Sequence, residues 1–529
     1  MPTVRETAYD LLRIWGLTTV FGNPGSNELP FLNGFPPDFR YVLGLHEGAV
    51  LAMADGYAQA AGRPALVNLH SAAGLGNAMG NLANARASRT PLVVTAGQQA
   101  RAMIGLGTVL AEPAMTRVPE PHVKWAYEPP RPQDVPRALS QAFHLATLPP
   151  AGPVFVSLPL DDWAQEVDPD EVARLAARRV GAAGAATPEV VAELAGRLRR
   201  AQAPVLVVGQ EADEEHAFDL VVALAERLRA PVWTAPTPPR CPFPTRHPLW
   251  RGVLPPSIAG VAERLIGHDL VLVLGAPVFR YHAYRPGPWL PAGTDMIAVG
   301  CDPEAAARSA FGDALVADVG VVAGQLLDAF PDPCARQAPA PVRRPDLPLE
   351  EAAPFTAGAV FALMARSLPG DVRLVNESTS NTSQFWEHLD LGRPRSLFFP
   401  AAGGLGFGLP AAAGVALADP GRPVVAVLGD GAAQYGVAGL WTAAQEHLPI
   451  TFVVLRNGTY GALRGFGVAG APGVDLPGLD IVRIAEGYGM PARRVSDGKE
   501  LAAELADVTR DRGPRLLEVP ITAETRPLG

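Results

Sequence analysis

Apolar residues in this chain come in short unbroken runs rather than in alternation. The runs are "RPALVNLH", "TPLVVTAG", "GPVFVSLP", "APVLVVGQ", "DLVLVLGAP", "MIAVGCDP", "VRLVNES", "RPVVAVLGDG" and "ITFVVLRNG". Continuous Val/Leu/Ile segments of this length predict parallel strands buried on both faces. Between them, alanine-rich patterns such as "AVLAMADGYAQAAG" and "VVALAERLR" predict helices, and the opening "MPTVRETAYDLLRIWG" predicts an amphipathic one. Strand–helix alternation of this kind predicts an α/β protein built on doubly wound parallel sheets. Two stretches lose the strand pattern: "ARLAARRVGAAGAAT" at 173–187, and the Pro-rich, charged "CARQAPAPVRRPDLPLEEAAP" at 334–354. Read as linkers, they divide the chain into domains at 1–175, 185–335 and 352–529.

Composition narrows the function more than the fold. With 529 residues, 48% hydrophobic and 18% charged, the chain is a globular protein too long for one core. A net charge of −9 argues against a nucleic-acid partner. No apolar run reaches the ~18 residues of a membrane span, and the N-terminus lacks the layout of a signal peptide. A cytoplasmic enzyme is the expectation. Cys241, Cys301 and Cys334 are scattered, so neither a disulfide framework nor a thiolate metal site is indicated. The only lysines are Lys124 and Lys499, which leaves little room for Schiff-base chemistry.

Two strand ends stand out. "RPVVAVLGDG" ends on Gly429-Asp430-Gly431, and "ITFVVLRNG" ends on Asn457-Gly458-Thr459, with Asp430 and Asn457 27 positions apart. Ligands of parallel sheets bind at the carboxyl ends of strands. A carboxylate, an amide oxygen and a nearby carbonyl form a hard oxygen set of the kind Mg²⁺ accepts beside a phosphate. Each turn alone is an ordinary strand-to-loop connection; together they point to a metal–diphosphate half-site. "NLHSAAGLGNAMG" has glycines after a strand, but the spacing is wrong for a dinucleotide loop. Ser26, Glu47, His70 and His282 are each ordinary when taken singly: a turn serine, a helix-start carboxylate and two lone histidines.

Taken together they form a pattern. "FGNPGSNELPFL", "HEGAVLAMADGYAQAAGRPA", "NLHSAAGLGNAMG" and "GDG…NGTYGAL" resemble, in order and over the whole chain, the thiamine-diphosphate-dependent decarboxylase family. "AGQQARAMIG", "RCPFPTRHP", "APVFRYH", "NESTSNTSQFW" and "AAGGLGFGLPAAAGVAL" are similar to its benzoylformate branch. The resemblance implies three α/β domains and non-oxidative decarboxylation of a small-molecule aromatic 2-keto acid, benzoylformate to benzaldehyde and CO₂. It implies thiamine diphosphate and Mg²⁺ (or Ca²⁺) as cofactors, with the metal on Asp430, Asn457 and the Thr459 carbonyl. Cofactor contacts would come from Asn23, Pro24, Gly25, Glu47, Thr379, Ser380, Gly403, Leu405, Gly429, Gly431 and Tyr460. Glu47 would activate the cofactor, Leu405 would bend it, His70 and His282 would move protons, and Ser26 would bind the substrate carboxylate. Leu110, Phe399, Ala462, Leu463 and Phe466 would line an aryl pocket. A homo-oligomer is implied, a dimer at minimum and usually a tetramer, because the two half-sites come from different subunits.

Two positions depart from the family pattern. Arg456 precedes Asn457 where Asn-Asn is usual, and Gly465 stands where the benzoylformate branch carries a bulky aromatic. The alternatives are a related carboligase, a flavin-linked oxidase, a decarboxylase of branched or aliphatic keto acids, and a non-catalytic cofactor binder.

Overall fold

The computed structural model describes residues 1–182, 184–466, 471–508 and 513–524. They form three six-stranded sheets in which every named pairing is parallel. The N-terminal sheet runs, edge to edge, Arg40–Leu43, Thr19–Gly22, Ala65–Leu69, Leu92–Gln98, Val154–Pro159, Ala126–Tyr127. The C-terminal sheet runs Leu397–Phe398, Arg373–Glu377, Val424–Gly429, Ile450–Arg456, Arg515–Pro520, Ala492–Arg494. Numbered within its own region, each has the order 2-1-3-4-6-5. The middle sheet, from Trp250–Val253 through Pro204–Val208 and Leu270–Leu274 to Asp313–Val316, has the order 3-2-1-4-5-6 of a nucleotide-binding fold. All nine apolar runs form strands, and helices cover the faces, as the doubly wound reading expects.

A pair of helices joins the outer two regions. Glu47–Ala61 follows the second strand of the N-terminal sheet, and Gly408–Ala418 follows the second strand of the C-terminal one. Both are buried almost throughout, and their residues share a single apolar core. They approach so closely that a Cβ on Gly414 would sit 1.8 Å from the Met53 carbonyl oxygen, and one on Gly56 would sit 2.3 Å from that of Ala411. Glycine at both positions lets backbone meet backbone. The packing matters for the site because Glu47 begins one helix and the 402–407 loop leads into the other.

The stretch at 334–354 carries no helix or strand, in line with its Pro content. The one at 173–187 does not stay unstructured: helix Pro169–Ala177 runs into it, capped by Asp168, and loses its regularity only afterwards. That Asp-Pro start is a helix signal which the search for strand pattern passes over. Among the described residues no helix is long and apolar enough to cross a membrane.

Candidate active site

The C-terminal sheet brings Asp430 and Asn457 together. Asp430 directly follows strand Val424–Gly429, and Asn457 directly follows its neighbour Ile450–Arg456. Asp430 Oδ2 accepts the Gly458 N–H at 2.7 Å and Oδ1 accepts that of Gly431 at 2.9 Å. The Asn457 side-chain oxygen accepts the Thr459 N–H at 3.1 Å, closing the turn that Gly458 makes at φ +70°. Thr459 is buried, with its hydroxyl on the Val474 carbonyl. Ser380, in the turn Thr379–Asn381 after strand Arg373–Glu377, reaches the same place. A Cβ on Gly461 would lie 2.9 Å from Ser380 Oγ and 3.1 Å from Asn457 Nδ2. Tyr460 packs its ring over Gly431. Arg456 turns away: its guanidinium lies 3.7 Å from Glu518, which Arg494 also binds at 2.6 Å.

These groups suit a divalent cation and a diphosphate. Asp430 is 3% exposed, and burial raises its pKa, against the Gly458 and Gly431 N–H groups and Arg456, which lower it. Each of its oxygens still has a lone pair, as does the Asn457 side-chain oxygen. One carboxylate plus neutral oxygens fits a cation that also takes ligand phosphate and water. The space over Gly429, where a Cβ would meet nothing within 4 Å, is open for that ligand.

The N-terminal sheet gathers a different set. His70 directly follows strand Ala65–Leu69, and its Nδ1 lies 2.7 Å from Glu28 Oε2. Glu28 is 1% exposed and also accepts the N–H groups of Gly25 (3.1 Å) and Gly97 (2.8 Å). Gly25 is where the His70 ring needs room, since a Cβ there would fall 2.0 Å from Nδ1. Asn23, Pro24 and Ser26 lie on the same connection after strand Thr19–Gly22, with Pro24 and Ser26 exposed. Ser26 caps no helix; the N-cap of Leu29–Leu32 is Glu28. Glu47 opens its helix, 8% exposed, and its Oε2 accepts Asn77 Nδ2 at 3.0 Å.

The remaining candidates lie on loops. His282, on an exposed segment of the middle region, packs edge-on against Phe466 of the C-terminal region with ring centroids 5.5 Å apart. Ala462 and Leu463 share the short helix Gly461–Gly465 with Gly465 itself. Leu463 and Phe466 are each 47% exposed, so apolar surface lines that side of the molecule. Phe399 is half-buried and fixed by its N–H on the Pro239 carbonyl, and Leu110 sits half-buried at φ +66°. Gly403 (φ +77°) and Leu405 lie on the loop ahead of helix Gly408–Ala418. Among the described residues, no hydrogen bond joins the Glu28–His70 group to the Asp430–Asn457 group.

In the middle region, the crevice beside strands Pro204–Val208 and Leu270–Leu274 is filled. Arg89 enters it, paired with Glu211 and, at 3.1 Å, with Asp302, while Glu211 also accepts the Cys301 N–H at 2.8 Å. That is the switch point where such a fold would take a nucleotide; here side chains occupy it.

Three family models match along the chain. They are the N-terminal TPP binding domain of thiamine pyrophosphate enzymes at residues 2–118, the central domain at 191–326 and the C-terminal TPP binding domain at 377–519. The chain is a thiamine pyrophosphate enzyme. A benzoylformate decarboxylase of Pseudomonas aeruginosa is 53% identical to it over 524 residues, spanning 98% of this chain and 99% of the relative. Among solved structures, a thiamine diphosphate-dependent 4-hydroxybenzoylformate decarboxylase of Rhodococcus jostii RHA1 superposes with a TM-score of 0.95 at 49% identity, covering 98% and 99% of the two chains. Benzoylformate decarboxylase from Polynucleobacter necessarius superposes with a TM-score of 0.94 at 40% identity over the whole of both.

Within this thiamine pyrophosphate enzyme, sequence reasoning misses Glu28, Asn77, Asn84 and Glu377. Glu28 lies two residues beyond Ser26 in "FGNPGSNELP", where a carboxylate so near a strand end is a usable signal. Glu377 ends the legible run "VRLVNES", although its partners do not show in the sequence; Asn77 and Asn84 show no pattern, because their partners come from distant segments.

Proposed function

We propose that this enzyme decarboxylates benzoylformate, releasing CO₂ and, after protonation of the acyl carbon, benzaldehyde. The observation that carries the reading is identity above one half, along nearly the full length of both chains, to a relative named benzoylformate decarboxylase. Thiamine diphosphate, when bound, takes up the electron pair that departing CO₂ leaves behind. Asp430, Asn457 and the Thr459 carbonyl would hold Mg²⁺ or Ca²⁺ for its diphosphate, with Thr379, Ser380 and Gly429 nearby. Glu47 would hydrogen-bond the aminopyrimidine, and Leu405 and Gly403 would meet the same ring system.

The protein's own work is placement and proton transfer. Ser26 donates its hydroxyl to the substrate carboxylate. His70, held by Glu28, and His282 deliver and remove protons at the keto oxygen and the acyl carbon, a task suited to imidazole near neutral pH. Phe466, Leu463, Ala462, Phe399 and Leu110 exclude water around the aryl ring. From the family resemblance, in which the activating glutamate and the diphosphate site come from different subunits, we assign a dimer as the smallest active unit and a tetramer as the assembled form. The filled middle crevice speaks against a flavin-linked oxidase.

The test is CO₂ and aldehyde formation by cofactor-stripped protein, with and without thiamine diphosphate and Mg²⁺. Benzoylformate, 4-hydroxybenzoylformate, pyruvate and a branched-chain keto acid would be compared. Activity that needs both additions and is highest on benzoylformate is the expected result. Preference for the 4-hydroxy acid would move the substrate within the class, in line with Gly465 at the pocket. Cofactor binding without release of CO₂ from any of the four would overturn the reading in favour of a carboligase or a binder.

A further inference from the structure

The loop at 402–408 is held from two sides by residues outside it. Asn84, on helix Met79–Ser88 of the N-terminal region, is fully buried. Its side-chain oxygen accepts the N–H groups of Ala402 (3.0 Å) and Gly404 (3.2 Å), and its amide donates to the Gly404 carbonyl at 2.8 Å. The same amide donates to Asn81 Oδ1 at 3.1 Å, and Asn81 in turn donates to the carbonyl of Gly48, next to Glu47. A Cβ on Gly404 would lie 2.7 Å from the Gly80 carbonyl oxygen, so the loop is seated directly on that helix.

On the other side, Glu377 ends strand Arg373–Glu377 and is fully buried. It accepts three backbone N–H groups: Gly406 at 2.8 Å, Phe407 at 3.1 Å and Gly408 at 2.9 Å. Gly408 is the first residue of helix Gly408–Ala418 and Phe407 its N-cap, so the carboxylate sits at the helix N-terminus, where negative charge is favoured. Burial nevertheless pushes its pKa up to about 7 against those three bonds. Leu405 is the one residue from 404 to 408 whose backbone N–H neither side takes. Gly403 and Leu405 are thus fixed at both flanks with their own surfaces left free.

We propose that Asn84 and Glu377 are positioning residues, which clamp the 402–408 loop so that Leu405 and the Gly403 carbonyl meet the aminopyrimidine of thiamine diphosphate in reactive geometry. This rests on the reading above that places the cofactor against Leu405 and Gly403. In that reading each clamp residue acts on the cofactor only through the loop, and displacement of a reacting group by about 1 Å is enough to slow chemistry by orders of magnitude.

The experiment measures, on holoenzyme, the exchange of the C2 proton of bound thiamine diphosphate with deuterated solvent. Its companions are the cofactor dissociation constant and backbone amide exchange across 402–408. The variants are N84A, N84D and E377Q, with L405A as the control for the reading itself. N84A and E377Q should slow C2 exchange by about tenfold or more while changing the dissociation constant less than about threefold, with faster amide exchange at 402–408. N84D keeps the acceptor and loses the donor, so it should fall between. If N84A does not fold, N84D and E377Q decide. C2 exchange at the parental rate in folded clamp variants, with L405A slow, overturns the clamp. L405A at the parental rate overturns the placement of the cofactor on which the clamp rests.

Discussion

The first and last regions of this chain are the same scaffold with different chemistry at its strand ends. Both sheets have the order 2-1-3-4-6-5, both send a buried helix off their second strand, and those two helices pack against each other. At the end of the third strand, one carries His70 and the other Asp430. At the end of the first, one leads into the Asn23–Ser26 connection and the other into Thr379 and Ser380. The N-terminal half thus presents imidazole and carboxylate, groups able to take up and release protons. The C-terminal half presents neutral oxygens around a single carboxylate, which suits a cation. Function lies in these loops and not in the fold they share. Each half also spends a buried glutamate on holding its loops. Glu28 ties His70 to Gly25 and Gly97, while Glu377 ties down the start of the helix after Leu405.

If the halves divide the labour this way, damage to each should look different. Glu47→Gln stays isosteric at a helix start already anchored by its neighbours, so the fold should persist. Turnover should fall by on the order of 10²-fold or more, with cofactor affinity nearly kept. Steady-state kinetics beside a thermal melt would show this; near-normal turnover would remove Glu47 from the chemistry. Asp430→Ala should do the reverse. With its carboxylate gone, the protein should lose about tenfold or more in retention of thiamine diphosphate and Mg²⁺, and turnover should recover in part at high cofactor concentration. Unchanged retention on dialysis would place the cation elsewhere.

Much of the scaffold is readable because burial writes itself into the sequence. The nine apolar runs are three contiguous strands in each sheet: Ala65–Leu69, Leu92–Gln98 and Val154–Pro159 in the first, for example. Their residues are buried on both faces, so apolar residues dominate, and the few polar ones inside them, such as Asn68, Thr95 and Ser157, are buried too. The strands that pattern does not reveal are short, such as Ala126–Tyr127 and Leu397–Phe398 at sheet edges. One longer strand, Arg515–Pro520, hides because it carries a buried Glu518 whose charge is met by Arg494 and Arg456. The candidate site divides likewise. Asp430, Asn457 and His70 sit at ends of legible strands, so position alone marks them. Glu377 also ends a legible strand and Glu28 lies near one, but their partners are backbone groups that only folding brings close, and for Asn84 neither spacing nor composition registers anything.

Glu28→Gln would sharpen the comparison from the N-terminal side. A glutamine keeps the volume but no longer offers two acceptor oxygens to His70, Gly25 and Gly97. We expect turnover to fall by about tenfold, because the histidine loses the carboxylate that orients it. Cofactor retention should stay within about twofold, since no group of the C-terminal half is disturbed. A loss of retention equal to the loss of turnover would mean that Glu28 only supports the fold.

The smallest effect is expected at Arg456, and it tests whether the C-terminal half tolerates change next to its own cation site. Arg456 stands beside Asn457, yet its guanidinium points to Glu518 and the Leu479 carbonyl, and Asp430 feels it only through charge, which lowers its pKa. In Arg456→Asn, Glu518 keeps Arg494 at 2.6 Å, so no buried carboxylate is left alone. The ion pair lost is long and partly exposed, and such pairs contribute at most about 1 kcal/mol. Cofactor affinity should therefore change less than about threefold and the melting temperature by only a few degrees. A large fall in affinity, read by titrating stripped protein with thiamine diphosphate at fixed Mg²⁺, would show that the positive charge itself helps hold the diphosphate. The C-terminal half would then bind its anion with an arginine as well as a cation, and the contrast with the N-terminal half would be one of charge as much as of proton chemistry.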